Sequence, residues 1–161
     1  MTKGLPMRRN TILLAIGVCA VFGAIGLFAL HMSSTSVRAS GLMPYQDARA
    51  IELGKTLYEE YCASCHSTNL EGEPNWRDRD DDGYLPAPPH DPSGHTWHHP
   101  DQQLFMITKY GTEKMVGDGY KSRMIGFKDS LSDTEILSAL AYIKSTWPPG
   151  IIARHNKING N

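Results

Sequence analysis

The chain has 161 residues, enough for one domain with appendages. A formal net charge of -1 gives no general attraction to nucleic acid or to a strongly acidic partner, although local blocks of charge can still steer docking. Of the three cysteines, two stand three residues apart and the third lies in an apolar run, so no pair is left for a structural disulfide.

Lys3, Arg8 and Arg9 precede Thr11 to Leu30, a run of 20 residues without a charge. At 1.5 Å per residue such a helix spans about 30 Å, the thickness of a bilayer's hydrocarbon core. The basic residues before it keep the N-terminus cytoplasmic and send the rest of the chain outward. Residues 1–32 are therefore expected to form a cytoplasmic stub and a single transmembrane helix. The alternative is a cleaved signal peptide, with Val37-Arg38-Ala39 as a small-residue cleavage site. The run is longer than a usual signal core and the site lies far beyond it, which favours the anchor. Cys19, His31, Gly17, Gly23 and Gly26 read as apolar filling and helix or lipid contact. The Gly23–Gly26 spacing is not the four-residue motif that pairs membrane helices. Residues 33–44 are small, polar and glycine-containing, and read as a tether.

A domain is expected over residues 45–149. Asp47 to Tyr61 has helical composition, with Ile51, Gly54, Leu57 or Tyr58, and Tyr61 at helical spacing. Gly54 costs up to ~1 kcal/mol in a helix interior relative to Ala; close contact with another helix would justify it, and simple tolerance is the plainer account. This helix runs into Cys62-Ala63-Ser64-Cys65-His66. The pattern C-x-x-C-H is that of covalent haem attachment. Two thiols one helical turn apart can each add to a haem vinyl group, and the following His can bind the iron. A bare dithiol or half a zinc site is the competing reading, but zinc would need a second Cys/His pair at metal spacing.

From Asn69 to Pro100 the chain is rich in Gly, Pro, Asp and His and loses periodicity. A stretch of that length without elements is unusual unless it wraps something. Leu70, Trp76, Tyr84, Leu85 and Trp97 are available to cover a haem ring. Leu85-Pro86-Ala87-Pro88-Pro89 is stiff, and a carbonyl at Pro88 or Pro89 is placed to accept a hydrogen bond from the far nitrogen of His66. Asp78 to Gly83 resembles the start of a calcium loop, but its twelfth position is Pro89 rather than a bidentate Glu, so a solvated acidic turn is the simpler reading. His90, His95, His98 and His99 cluster beside Asp91. They could hold copper or zinc, meet a haem propionate, supply another iron ligand, or merely line the loop.

Pro100 suits the first position of a second helix, with Asp101 complementing its dipole. Leu104, Phe105 and Ile107 would face inward and Gly111 would stop it. Gly111 to Gly119 reads as a loop flanked by Lys109, Lys114, Lys121, Arg123 and Lys128. As solvated charges these need no role, but a basic rim at a haem edge would guide an acidic redox partner. A thioether opposite a His suits haem iron and raises its potential. Met124 is favoured, Met106 falls inside the second helix, and Met115 in the loop stays open. Ser132-Asp133-Thr134-Glu135 is a capping box with Leu131 and Ile136 as a hydrophobic staple. Ile136, Leu140, Ile143 and Trp147 repeat at helical spacing up to Pro148-Pro149. Residues 150–161 have little to fold around and read as a flexible tail.

Residues 45–148 resemble a class I cytochrome c domain. The resemblance rests on Gly54 with Tyr58, Cys62 to His66, the Pro-rich loop, Met124-Ile125-Gly126-Phe127, and Leu131-Ser132-Asp133 with Ala141-Tyr142-Ile143. It implies an all-α fold: three to four helices around one covalent haem c, following the single N-terminal transmembrane helix. It also implies a crossing of the first and last helices at Gly54 and Tyr142, thioethers at Cys62 and Cys65, and axial ligands His66 and Met124. Two departures stand out: Ile125 follows Met124 where family members often have Pro, and the His-rich loop exceeds a minimal member. The implied job is one-electron transfer rather than catalysis, since two axial ligands leave no position for substrate. The carrier would shuttle between donor and acceptor complexes of a respiratory chain, or serve as the cytochrome subunit of one. Its expected place is the bacterial inner membrane, single-pass, with the haem domain in the periplasm, and no nucleic acid is involved. The alternatives are a haem enzyme or gas sensor with an open iron site, and a copper or zinc handling protein using the His-rich loop.

Overall fold

The computed structural model describes residues 41–160. The predicted anchor at Thr11–Leu30 and the tether as far as residue 40 lie outside the described residues. Among the described residues no helix is long and apolar enough to cross a membrane, and there is no strand. The helices, in order, are α1 (Ala48–Tyr61), α2 (Ala63–His66), α3 (Asp101–Tyr110), α4 (Thr112–Val116), α5 (Asp133–Ser145) and α6 (Pro149–Ile158), with a 3-10 turn at Thr96–His98 before α3.

Local signals start the two long helices. The Asp47 carboxylate accepts from the Arg49 and Ala50 amides at 2.9 and 3.4 Å and so caps α1. At α5 the Ser132 hydroxyl accepts from the Glu135 amide at 3.3 Å while the Glu135 carboxylate accepts from the Ser132 amide at 2.8 Å, the reciprocal box expected from the sequence. Leu131 and Ile136, the staple pair, are both buried.

The largest helix–helix interface joins α1 to α5. They meet at Gly54, where any side chain would run into the Ser138 carbonyl and approach the Tyr142 Cβ at 3.0 Å. The glycine is thus required by close approach, as the resemblance implied. Around it pack Leu57, Tyr58, Phe127, Leu131, Ile136, Leu140, Ile143 and Trp147. Each fully buried Leu or Ile contributes roughly 1.5–3 kcal/mol, so this contact dominates the core.

Three expectations are corrected. Gly111 to Gly119 is not all loop: α4 forms between Gly111 and Gly117, whose φ values of +85 and +74 let the chain turn at both ends. The tether over residues 33–44 does not extend to its end, because Met43 is buried and Gly41 lies against the Asp101 carboxylate. Residues 150–161 are not a flexible tail. Pro148-Pro149 does follow the end of α5, but Pro149 then opens α6, being tolerated in a first turn that has no amide to lose.

Helix α6 is held by Ile151 and Ile152, which pack against the core, and by a polar knot centred on Asp101. One carboxylate oxygen accepts from the Leu42 and Met43 amides at 2.7 and 3.2 Å. The other lies 3.9 Å from Lys144 Nζ and 3.4 Å from His155 Nε2. The Asp101 amide donates to Asn159 Oδ1 at 2.8 Å, His155 Nε2 donates to the His99 carbonyl at 3.0 Å, and Asn156 Nδ2 donates to the Tyr45 hydroxyl at 3.1 Å. Lys144, Asp101 and His155 are at most 1 % exposed. Burial pulls the Lys144 ammonium and the His155 imidazole down from their ordinary pKa values, and Asp101 pulls both back.

Two substitutions test these contacts by chemical denaturation of the haem-loaded protein. Gly54→Ala is expected to cost about 1–3 kcal/mol through overpacking at the crossing. Asp101→Ala strands a buried ammonium and should cost about 3–5 kcal/mol; a loss under 1 kcal/mol would show that the knot is incidental to holding α6.

Candidate haem site

The last turn of α1 delivers Cys62, and α2 is a single turn in which the Cys65 and His66 amides donate to the Cys62 carbonyl at 3.2 and 2.9 Å. One helical turn therefore separates the two sulfurs. Neither is in a disulfide; Cys62 is half-buried and Cys65 exposed. Burial, with Cys65 adding to it, pushes the Cys62 thiol up to about 11.

His66 is 6 % exposed. Its Nδ1 lies 2.8 Å from the Pro88 carbonyl oxygen. A carbonyl only accepts, so Nδ1 carries the proton and Nε2 keeps its lone pair. Burial holds the pKa of the ring below its ordinary value, which favours the neutral form that binds metal. The Pro-rich segment is held for this purpose by the chain just after His66. The Glu73 amide donates to the Ala87 carbonyl at 2.9 Å, the Glu73 carboxylate accepts from the Ala87 amide at 2.6 Å, and the His90 amide donates to the Leu70 carbonyl at 2.7 Å. Gly72, at φ +69, sits where a Cβ would come within 2.6 Å of the Pro88 and Pro89 backbone. Tyr58, fully buried, donates from α1 to the Ser67 carbonyl at 2.9 Å. Burial raises its phenol well above the ordinary value, with Cys62 adding to the effect.

Met124 is half-buried and packs against the core. Its amide donates to Ser122 Oγ at 3.1 Å, and its carbonyl accepts from the Thr112 amide at 3.3 Å. The following residues lie along the end of α3: the Phe127 amide donates to the Thr108 carbonyl at 3.0 Å, and a Cβ on Gly126 would come within 2.8 Å of the Lys109 carbonyl. Ile125, in the place where Pro is common, is 68 % exposed, and Met115 is also on the surface at 38 %. Met106 is half-buried within α3.

A match to the family model for cytochrome c spans residues 51–147. The chain belongs to the cytochrome c family. No curated relative and no solved structure matches it. Membership makes this a c-type cytochrome with one covalently bound haem c, and an electron-transfer protein in general terms. Cys62, Cys65 and His66 fit that cofactor: two thiols one turn apart and an imidazole whose outer nitrogen is proton-free.

Of the four loop histidines, His95 and His99 meet edge to face with ring centroids 5.3 Å apart. His90 stacks on His66 with centroids 4.0 Å apart, His95 stacks on Trp76 at 5.2 Å, and His98 packs edge-on to Trp97 at 3.7 Å. Among the described residues no group of three or more His, Cys, Asp or Glu is placed to hold a metal ion. Nor can His90 be the ligand opposite His66, because imidazoles on opposite faces of a haem meet tip to tip rather than face to face.

The acidic turn is a brace. Asp80 accepts from the Asp82 and Tyr84 amides at 3.1 and 2.8 Å and pairs with Arg123 at 2.6 Å, beside Met124. These bonds hold its carboxyl below the ordinary value. The basic rim is largely paired as well: Lys109 meets Asp133 at 2.6 Å, Lys128 meets Asp129 at 2.8 Å, and Lys121 donates to the Asp82 carbonyl at 2.8 Å. Lys128 and Asp129 are neighbours in sequence, but no spacing rule announces Lys109 with Asp133 or Arg123 with Asp80.

Gly72→Ala tests the seating of the Pro88 carbonyl. With His66 as an iron ligand, a hydrogen bond from Nδ1–H would make the imidazole more electron-rich and favour Fe(III). Displacing the carbonyl should therefore raise the reduction potential, read by spectroelectrochemistry. An unchanged or lowered potential would show that the glycine does not control this bond.

Proposed function

We propose that this cytochrome is a one-electron carrier in which Cys62 and Cys65 form the thioethers and His66 and Met124 are the axial ligands. The observation that carries the reading is the His66–Pro88 bond, which fixes the tautomer and leaves Nε2 as the donor atom. Cys62 and Cys65 would hold the haem through one thioether each, the thiol proton going to the neighbouring vinyl carbon with no oxidant needed. When bound, the haem supplies a single Fe(III)/Fe(II) couple.

The chain's own residues do the rest. His66 donates an electron pair from a ring whose other nitrogen is tied down, which keeps the ligand from dissociating as the charge of the metal changes. Met124 offers a soft thioether from a loop braced by Gly126 and the Arg123–Asp80 pair, and such a ligand favours Fe(II) and raises the potential. With both positions taken no site remains for substrate, which supports transfer rather than catalysis. The apolar run Thr11–Leu30 supports a carrier tethered to a bacterial inner membrane with its haem domain in the periplasm. There the tether would raise its effective concentration between a respiratory donor and acceptor, or fix it as a subunit of one such complex.

The visible spectrum of the purified, membrane-extracted protein tests the ligand set. The wild type should show sharp low-spin bands and, when oxidised, the weak long-wavelength band of a Met–iron bond. Met124→Ala should lose that band and lower the potential. Retention of the band in Met124→Ala together with its loss in Met115→Ala would move the ligand to Met115.

A further inference from the structure

His90 has no part in the reading above, yet both its backbone and its ring are held against His66. The two rings lie 4.0 Å apart, centroid to centroid, with 25° between their planes. Restraint comes from every side. The His90 amide donates to the Leu70 carbonyl at 2.7 Å, and its carbonyl accepts from Trp147 Nε1 at 2.7 Å at the end of α5. The Tyr58 ring from α1 stands edge-on to it at 6.2 Å. Its Nδ1 lies 2.8 Å from Thr96 Oγ1, and the Thr96 hydroxyl lies 3.3 Å from the Pro89 carbonyl. That carbonyl can only accept, so the Thr96 proton points to it and Oγ1 accepts from His90 Nδ1–H. The tether thus defines both the plane and the tautomer of His90.

The Pro88 carbonyl alone cannot define the plane of His66. One hydrogen bond at Nδ1 sets where that edge of the ring lies but leaves the ring free to rock about the bond axis. A flat surface at stacking distance removes that freedom. We propose that His90 is a positioning residue that fixes the rotational plane of the His66 imidazole. This rests on His66 being an axial ligand. The plane of an axial imidazole sets how its π system overlaps the iron d orbitals, which governs the spread of the ferric low-spin g-values and contributes to the potential. An aliphatic residue at position 90 would fill the volume without presenting a plane, and an untethered ring would present a plane free to turn. His90 with Thr96 does both.

The test uses the full haem-loaded protein with ferric electron paramagnetic resonance, spectroelectrochemistry and thermal melting on His90→Ala, His90→Phe and Thr96→Val. His90→Ala should alter the g-spread and displace the Fe(III)/Fe(II) equilibrium by up to about tenfold, ~59 mV for one electron. His90→Phe keeps a flat face and should restore the wild-type g-spread more nearly than Ala does. Thr96→Val keeps the ring but frees it, and should broaden the g-features. If His90→Ala fails to mature, the Phe and Val variants carry the same contrast. A low-spin wild type whose g-values and potential are unmoved in His90→Ala, or whose g-features do not broaden in Thr96→Val, overturns the positioning role while leaving the ligand set intact. A wild type without a low-spin signal overturns the ligation of His66, and this inference with it.

Discussion

Backbone meets side chain and backbone where α1 crosses α5, and most of the site follows from that contact. Because Gly54 has no Cβ, the helix can lie against the Ser138 carbonyl. One turn further on, Tyr58 enters the core beside Tyr142, with ring centroids 5.5 Å apart, and its hydroxyl reaches the Ser67 carbonyl. A further turn brings Cys62. The crossing therefore sets the height and direction at which the chain leaves α1, and so the place of both thiols and His66. A single methyl at position 54 would act on the site from a distance, through helix separation rather than through any contact with the cofactor.

Residues 67–100 solve a different problem. They have one short 3-10 turn and little regular structure, yet they must aim one carbonyl at one nitrogen. They do it by pairing with themselves: Leu70 and Glu73 bind the Ala87–Asp91 stretch, Gly72 lies against it while its amide donates to the His66 carbonyl, and the non-glycine residues Ser67, Leu70, Asn75 and Asp118 take positive φ to make the required turns and their counterpart in the Met124 loop. Each hydrogen bond contributes only about 0.5–1.5 kcal/mol net. The prolines reduce what those bonds must offset, because their φ angles are restricted before folding.

The helical frame was legible because its signals are local. Asp47 and Ser132 name their own helix starts, Gly54 and Tyr142 mark the crossing through the family pattern, and C-x-x-C-H names its cofactor. The Pro88 carbonyl was legible to within one residue, since a stiff proline run leaves few acceptors. What stayed hidden depends on polar partners distant in sequence. The polar side of α6, with His155, Asn156 and Asn159, reads as surface until Asp101, 54 to 58 positions away, is placed beneath it. The stacking of His90 on His66 is hidden for the same reason: nothing in Pro89-His90-Asp91 distinguishes a ring that faces solvent from one that faces another ring. The acidic run Asp78 to Asp82 has the composition of a metal loop, and only the arrival of Arg123 decides that it is a brace.

These partners divide the site into two unequal halves. On the His66 side a backbone carbonyl, a stacked ring, a tyrosine hydroxyl and a tryptophan bond converge, all from buried or half-buried groups. On the Met124 side the supports are the packing of Gly126 against α3 and an exposed Arg123–Asp80 pair, with Ile125 turned to solvent. An exposed ion pair contributes about 0–1 kcal/mol and weakens in salt. The thioether is therefore the less firmly held of the two proposed ligands, and a perturbation of the domain reaches it first. In the proposed carrier a fixed histidine would face a thioether whose support depends on the exposed contacts of Arg123 with Asp80 and with the Tyr84 ring.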